Sequence, residues 1–164
     1  MNKTILDQFS PFLFIAIMVL LVVGSASKEY IAKHKRLQQD YSVDDFDLLG
    51  LLIAEFSEIV IMPHILAEVS SLARQIKNPA RAKVQNALRT LITTATELPI
   101  QSASGAQRAE FDELGLTDAV ILHLCNMSIN GISPTLITCD TDLANSAHSL
   151  GYSVIDYKQE FQSR

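Results

Sequence analysis

The sequence predicts a three-layer α/β/α domain with a mostly parallel central sheet, and three observations carry that expectation. Short apolar segments rich in β-branched residues alternate with amphipathic segments of helical period. Residues 11–23 are apolar almost without interruption, as a strand buried on both faces of a parallel sheet would be. The 164 residues show no internal repeat or linker and match one domain, large enough to bury a core without a metal or disulfide staple.

Taken in order, residues 11–23 have two readings. Lys3 before the run and Gly24-Ser25-Ala26-Ser27 after it resemble a secretory signal, and the run is too short to span a membrane. Against export, Asp7 weakens the positive start, while Phe12, Phe14, Ile15, Ile17, Val19, Val22 and Val23 favour a strand. An alternating α/β pattern needs such a first strand, so it is assigned as one and the chain is placed in the cytoplasm. Export with residues 1–26 removed is the competing expectation.

Residues 27–39 are polar and basic, a surface loop or short helix. A helix fits 43–57, with Ser42 as N-cap, Asp44 and Asp45 in the first turn, and Phe46, Leu49, Ile53 and Phe56 on one face. Residues 58–62 read as a short strand, and 63–76 as a helix opened by Pro63 and buried through Ile65, Val69, Leu72 and Ile76. Asn78-Pro79 breaks the chain before a helix over 80–96, and 98–110 form a loop or irregular lead. Thr117 is the expected N-cap of a helix reaching Asn126, 130–133 a turn, 135–139 a strand, 142–150 a helix closed by Gly151, and 152–156 the last strand.

With 13 Lys and Arg against 18 Asp and Glu the net charge is −5, which excludes binding of nucleic acid through an overall basic field. Cys125 and Cys139 are too few for a disulfide framework and have no zinc-type spacing, so they read as buried free thiols. His34, His64, His123 and His148 show no metal-ligand spacing, and no glycine-rich phosphate loop or Gly-x-Ser-x-Gly elbow is present.

Ligands of open α/β sheets gather beyond the carboxyl ends of the strands, and three acids fall there: Glu68, one turn into the helix after the 58–62 strand; Asp118, at a helix start after Gly115-Leu116-Thr117; and Asp140, at the end of the 135–139 strand, with Asp142 two residues on. Converging carboxylates suit hard cations such as Mg²⁺ and Mn²⁺, whose bound water can attack a phosphodiester. Taken singly, each acid also fits a solvated helix face, a helix start or a turn.

The sequences Met62-Pro63-His64-Ile65-Leu66-Ala67-Glu68-Val69, Gly115-Leu116-Thr117-Asp118-Ala119-Val120-Ile121-Leu122 and Leu136-Ile137-Thr138-Cys139-Asp140-Thr141-Asp142-Leu143-Ala144 follow one another in an order that resembles the PIN domain family, over roughly residues 12–157. The resemblance implies a Mg²⁺- or Mn²⁺-dependent endoribonuclease with a four-acid site, often a toxin held inactive by a small antitoxin protein, commonly dimeric and not membrane-bound. It implies Glu68, Asp118 and Asp140 as metal-site acids, Asp142 as a catalytic helper and Thr138 as a supporting hydroxyl. The family's Asp-x-Asn at the end of the first strand is missing: Ala16 and Met18 stand in its place. Either the domain is degenerate and serves as a protein- or RNA-binding module, or Ala16 is an introduced change that impairs a nuclease.

Basic residues fall in two groups, Lys28, Lys33, Lys35 and Arg36, and Arg74, Lys77, Arg81, Lys83 and Arg89. They read as solvated helix faces or as phosphate contacts beside the acidic site.

Overall fold

The computed structural model describes residues 11–13, 15–129 and 131–162. The Lys3 and Asp7 flanks, Phe14, and Asn130 of the expected 130–133 turn lie outside them. The architecture is mixed α/β, ordered β1 (Pro11–Leu13), α1 (Ile15–Ala26), a 3₁₀ helix (Lys28–Lys33), α2 (Val43–Ile53), β2 (Val60–Ile61), α3 (Pro63–Ala73), α4 (Ala80–Thr94) and β3 (Thr96–Glu97). There follow α5 (Ser102–Ala106), α6 (Phe111–Leu114), α7 (Leu116–Cys125), β4 (Thr135–Thr138), α8 (Thr141–Ser149), β5 (Val154–Asp156) and a π-helical turn (Lys158–Gln162). All described strand pairs are parallel, in the order β3-β2-β1-β4-β5. None of the described helices is long and apolar enough to cross a membrane.

The largest correction to the sequence reading is the 11–23 run. Only Pro11–Leu13 is strand; residues 15–23 belong to α1, in which Ile15–Leu20 and Val22–Gly24 are buried. A helix enclosed on all sides is as continuously apolar as a buried strand, so the pattern cannot separate the two. Length separates them: 13 residues suit a three-turn helix better than one strand. Gly24 is required where α1 meets α2, because a Cβ there would run into the Phe46 ring.

Local signals fared better. Ser42 caps α2 in a reciprocal box: Asp45 N–H donates to Ser42 Oγ at 3.2 Å, and Ser42 N–H donates to Asp45 Oδ2 at 2.7 Å. Gly151, at φ 77°, ends α8 in a Schellman arrangement, with Tyr152 N–H on Ala147 O and Gly151 N–H on His148 O, both 3.0 Å. Pro63 opens α3 as expected.

Other boundaries shift. The helix expected over 43–57 stops at Ile53, that over 63–76 at Ala73, and the 58–62 strand contracts to Val60–Ile61. Thr96, expected as the end of a helix, starts the edge strand β3. The expected 98–110 loop contains α5, held against α7 so closely that a Cβ on Gly105 would lie 2.5 Å from Val120 Cγ2. Thr117 does not cap α7; the chain enters through Gly115 at φ 84°, and the Thr117 hydroxyl turns elsewhere.

One core joins these elements. Ile17, Met18, Val19, Leu20 and Val23 of α1, Ile65 and Val69 of α3, Val84 of α4, Ile121 and Leu122 of α7, and Leu136 and Ile137 of β4 belong to it. Cys125 is buried and Cys139 half-buried, both free thiols. His34, fully buried, sits between segments: its Nε2 meets Leu72 O at 3.0 Å and its Nδ1 accepts from Arg36 N–H at 3.2 Å.

Candidate functional site

The sheet register brings position 16 to Asp140. Leu13 of β1 pairs with Ile137 of β4. Three residues beyond each, the chains have left the sheet at Ala16 and Asp140, and both line one cleft of about 700 Å³. Ala16 lies in the first turn of α1, buried at 6% exposure. An acid is absent from that turn, although the positive end of a helix favours one.

Asp140 is fixed from two sides. Its N–H donates to the buried Thr138 hydroxyl at 2.9 Å, and its Oδ1 accepts from Leu143 N–H at 3.0 Å, capping α8. Thr138 therefore sets where the chain leaves β4, and Asp140 keeps its second carboxylate oxygen for other use. Glu68, exposed on α3, accepts from the Thr117 hydroxyl at 2.7 Å. That bond ties two segments 49 residues apart and explains why Thr117 leaves its own helix uncapped.

Asp118 links the two. Its carboxyl is raised to a pKa of about 6, by burial first and then by the charges of Asp140 and Glu68. Its carboxylate makes no hydrogen bond or ion pair among the described residues, so only the positive end of α7 offsets the repulsion. Asp142 is exposed in the first turn of α8 and is not among the charges acting on Asp118. Glu68, Asp118 and Asp140 are thus brought to one neighbourhood, and Asp142 is left at its margin.

Oxygen donors of this kind suit Mg²⁺ or Mn²⁺. Yet among the described residues no group of three or more His, Cys, Asp or Glu side chains is gathered closely enough to hold a metal ion. Glu68 is drawn toward Thr117, Asp140 toward the α8 N-terminus, and position 16 offers only a methyl group. The donor set does not fit a bound cation as it stands.

The far wall of the cleft is legible in the sequence only in part, through Arg36 in a basic group and Asp45 in a helix first turn. It consists of Arg36, Asp40, Tyr41 and Asp45, with Lys158 and Gln162 from the chain's last described turn. Two of its acids are already engaged. Arg36 pairs with Asp40 at 3.2 Å, and Asp45 accepts from Ser42 and, at 3.2 Å, from Gln162 Nε2. The Tyr157 hydroxyl donates to Asp45 O at 2.6 Å and holds this wall closed against α2. The Cys139 thiol lines the cleft, but burial pushes its pKa up to about 11, so it is neutral and a poor nucleophile at pH 7.

Arg36 and Asp45 are legible singly, but the approach of Arg36, Asp40 and Tyr41 to Cys139 and Asp140 is a tertiary fact. Comparison with known proteins adds no assignment: no protein-family model, curated protein or solved structure matches this chain.

Proposed function

We propose that the chain is a PIN-like domain of the metal-dependent endoribonuclease type, acting on RNA at the cleft, with its acid site left incomplete by Ala16. The observation that carries this reading is the β1–β4 register, which sets position 16 beside Asp140, while Asp118 feels the charges of Asp140 and Glu68. A parallel sheet with acids at its strand exits, flanked by helices as three layers, is the setting the reading requires. Thr117 and Thr138 are positioning residues, one orienting Glu68 and the other the Asp140 backbone. Asp142 would be a peripheral helper. A dimer, a small antitoxin-like partner and a cytoplasmic setting belong to the same proposal.

Restoring the missing carboxylate tests it. Ala16→Asp places an acid in the first turn of α1, facing a cleft with room for it. The variant is expected to bind Mn²⁺ at least roughly ten-fold more tightly than the Ala16 chain by calorimetry, since affinity follows the number of charged ligands. It is also expected to cleave RNA, where the Ala16 chain shows little or no turnover. Neither Mn²⁺ binding nor cleavage across varied RNAs would sink the nuclease reading.

A second reading, a non-catalytic RNA- or protein-binding module, is favoured by Met18. It is wholly buried in the core and does not line the cleft, so the second half of the Asp-x-Asn pattern has been replaced by packing. RNA binding by Ala16→Asp without Mn²⁺ binding or cleavage is the outcome that selects this reading. The native codon at position 16 separates the two as well: Asp for the nuclease, Ala for the module.

A further inference from the structure

Nine of the 13 cations lie in residues 28–36 and 74–89, and no acid occurs between Glu68 and Glu97. The fold brings these two segments together. Lys35 N–H donates to Gln75 O at 3.4 Å, and a groove of about 800 Å³ is lined by Lys33 and Lys35 from one segment and Lys77 and Arg81 from the other. Gln38 and Asn78 add amide groups to its walls.

The charge is poorly neutralised. Among the described residues Glu29 is the only acid lining the groove, and it pairs with Lys33 at 3.4 Å in an exposed contact that a stronger anion can displace. Lys35 and Lys77 are exposed and make no ion pair among the described residues. Arg81 is oriented by its Nε–H, which donates to Ile76 O at 2.9 Å. The α4 N-terminus adds its positive end, but the four side chains carry the site.

The groove also adjoins the cleft. Lys35 and Gln38 line the groove, while Arg36 and Gln39 line the cleft that holds Asp140, so one stretch of chain forms the wall between them. We propose that this groove binds the phosphodiester backbone of single-stranded RNA and anchors it beside the cleft. The inference rests on the cleft being an RNA site. Regularly spaced phosphates match several separate cations better than a single small anion does. Tyr30, the one aromatic at the groove, is buried, so bases have no stacking platform and binding is indifferent to sequence.

The test uses the Ala16 chain as it is, in chelator, so that neither metal nor cleavage enters. Fluorescence anisotropy follows binding of a labelled oligouridine of about 12 nucleotides as salt is raised. If four phosphates are engaged, affinity falls about 50-fold between roughly 50 and 200 mM salt, and only about 7-fold in Lys35→Ala/Lys77→Ala. Both substitutions are at exposed positions, and an unchanged melting temperature checks the fold. Lys28→Ala/Lys83→Ala removes the same charge outside the groove and is expected to leave the slope near that of the parent. Equal loss in both pairs means binding through the general field and overturns the proposal, as does an unchanged slope in the groove variant. Equal affinity for poly-glutamate of the same charge also overturns it, because the groove would then be an acidic-peptide site. Loss of groove binding alongside Mn²⁺-dependent cleavage by Ala16→Asp would remove the anchor and leave the nuclease standing.

Discussion

Asp118→Asn is expected to stabilise the protein at neutral pH. Asp118 ionises with a pKa of about 6 in the folded chain against an ordinary 3.8, because it is part-buried beside Asp140 and Glu68. The folded state therefore holds a proton that the unfolded state has released between about pH 3.8 and 6, and stability falls as pH rises through that window. Above it the full shift would correspond to about 3 kcal/mol. The carboxyl is not fully buried, so solvent screening reduces this to about 1–2 kcal/mol, and the favourable field of the α7 N-terminus offsets about another 0.5. A net gain of about 1 kcal/mol at pH 7 raises the melting temperature by roughly 2–4 °C in a chain of this size. Urea or thermal unfolding at pH 7 and pH 4 is the assay, with most of the gain lost at pH 4, where Asp118 is protonated in the folded chain and only about half ionised in the unfolded one. An Asn variant no more stable than the parent at pH 7, or equally stabilised at both pH values, would refute the account of Asp118 as a strained, uncompensated charge.

Three other perturbations probe the frame around the site. Gly24→Ala forces a Cβ into the Phe46 ring where α1 meets α2 and is expected to cost about 1–3 kcal/mol, read as a lower urea midpoint with unchanged m-value. Tyr157→Phe removes the 2.6 Å bond to Asp45 O at the cleft wall; a loss of about 1 kcal/mol in chemical denaturation is expected. Burial lowers the pKa of His34 below its ordinary 6.5, so the unfolded chain takes up the proton first and stability is lost as pH falls below about 6.5. In His34→Gln the dependence of unfolding free energy on pH between about 5 and 7 should flatten relative to the parent.

What was legible in the sequence followed from how locally each signal is defined. Ser42 and Gly151 are read correctly because a cap involves only three or four neighbouring residues. Acids at strand exits are likewise visible once the alternation of strands and helices is seen, and the charges of Asp140 and Glu68 do act on Asp118. The β1–α1 boundary was invisible because enclosure on all sides erases periodicity, so Leu13 and Ile15 look alike. β3 is a two-residue edge strand whose only partner is β2, and nothing in Thr96-Glu97 announces it. The far cleft wall depends on contacts such as Tyr157 with Asp45, 112 residues apart, which no local pattern encodes.

The acids that line the cleft, and Asp118 near Asp140, divide by what holds them, and the division bears on what Ala16 means. Asp40 is paired with Arg36, and Asp45 is spent on the α2 cap and on Gln162. Their presence is explained by structure alone. Asp118 has no such partner among the described residues, lies where burial and two neighbouring charges oppose ionisation, and lowers stability at neutral pH. An Asn there is expected to be more stable, so the fold alone does not explain the acid. Position 16 shows the opposite: a methyl group where a carboxylate would meet a favourable helix terminus and an open cleft. Ala16→Asp, with Mn²⁺ binding and RNA cleavage as its readouts, is therefore the change that tests the proposed site most directly.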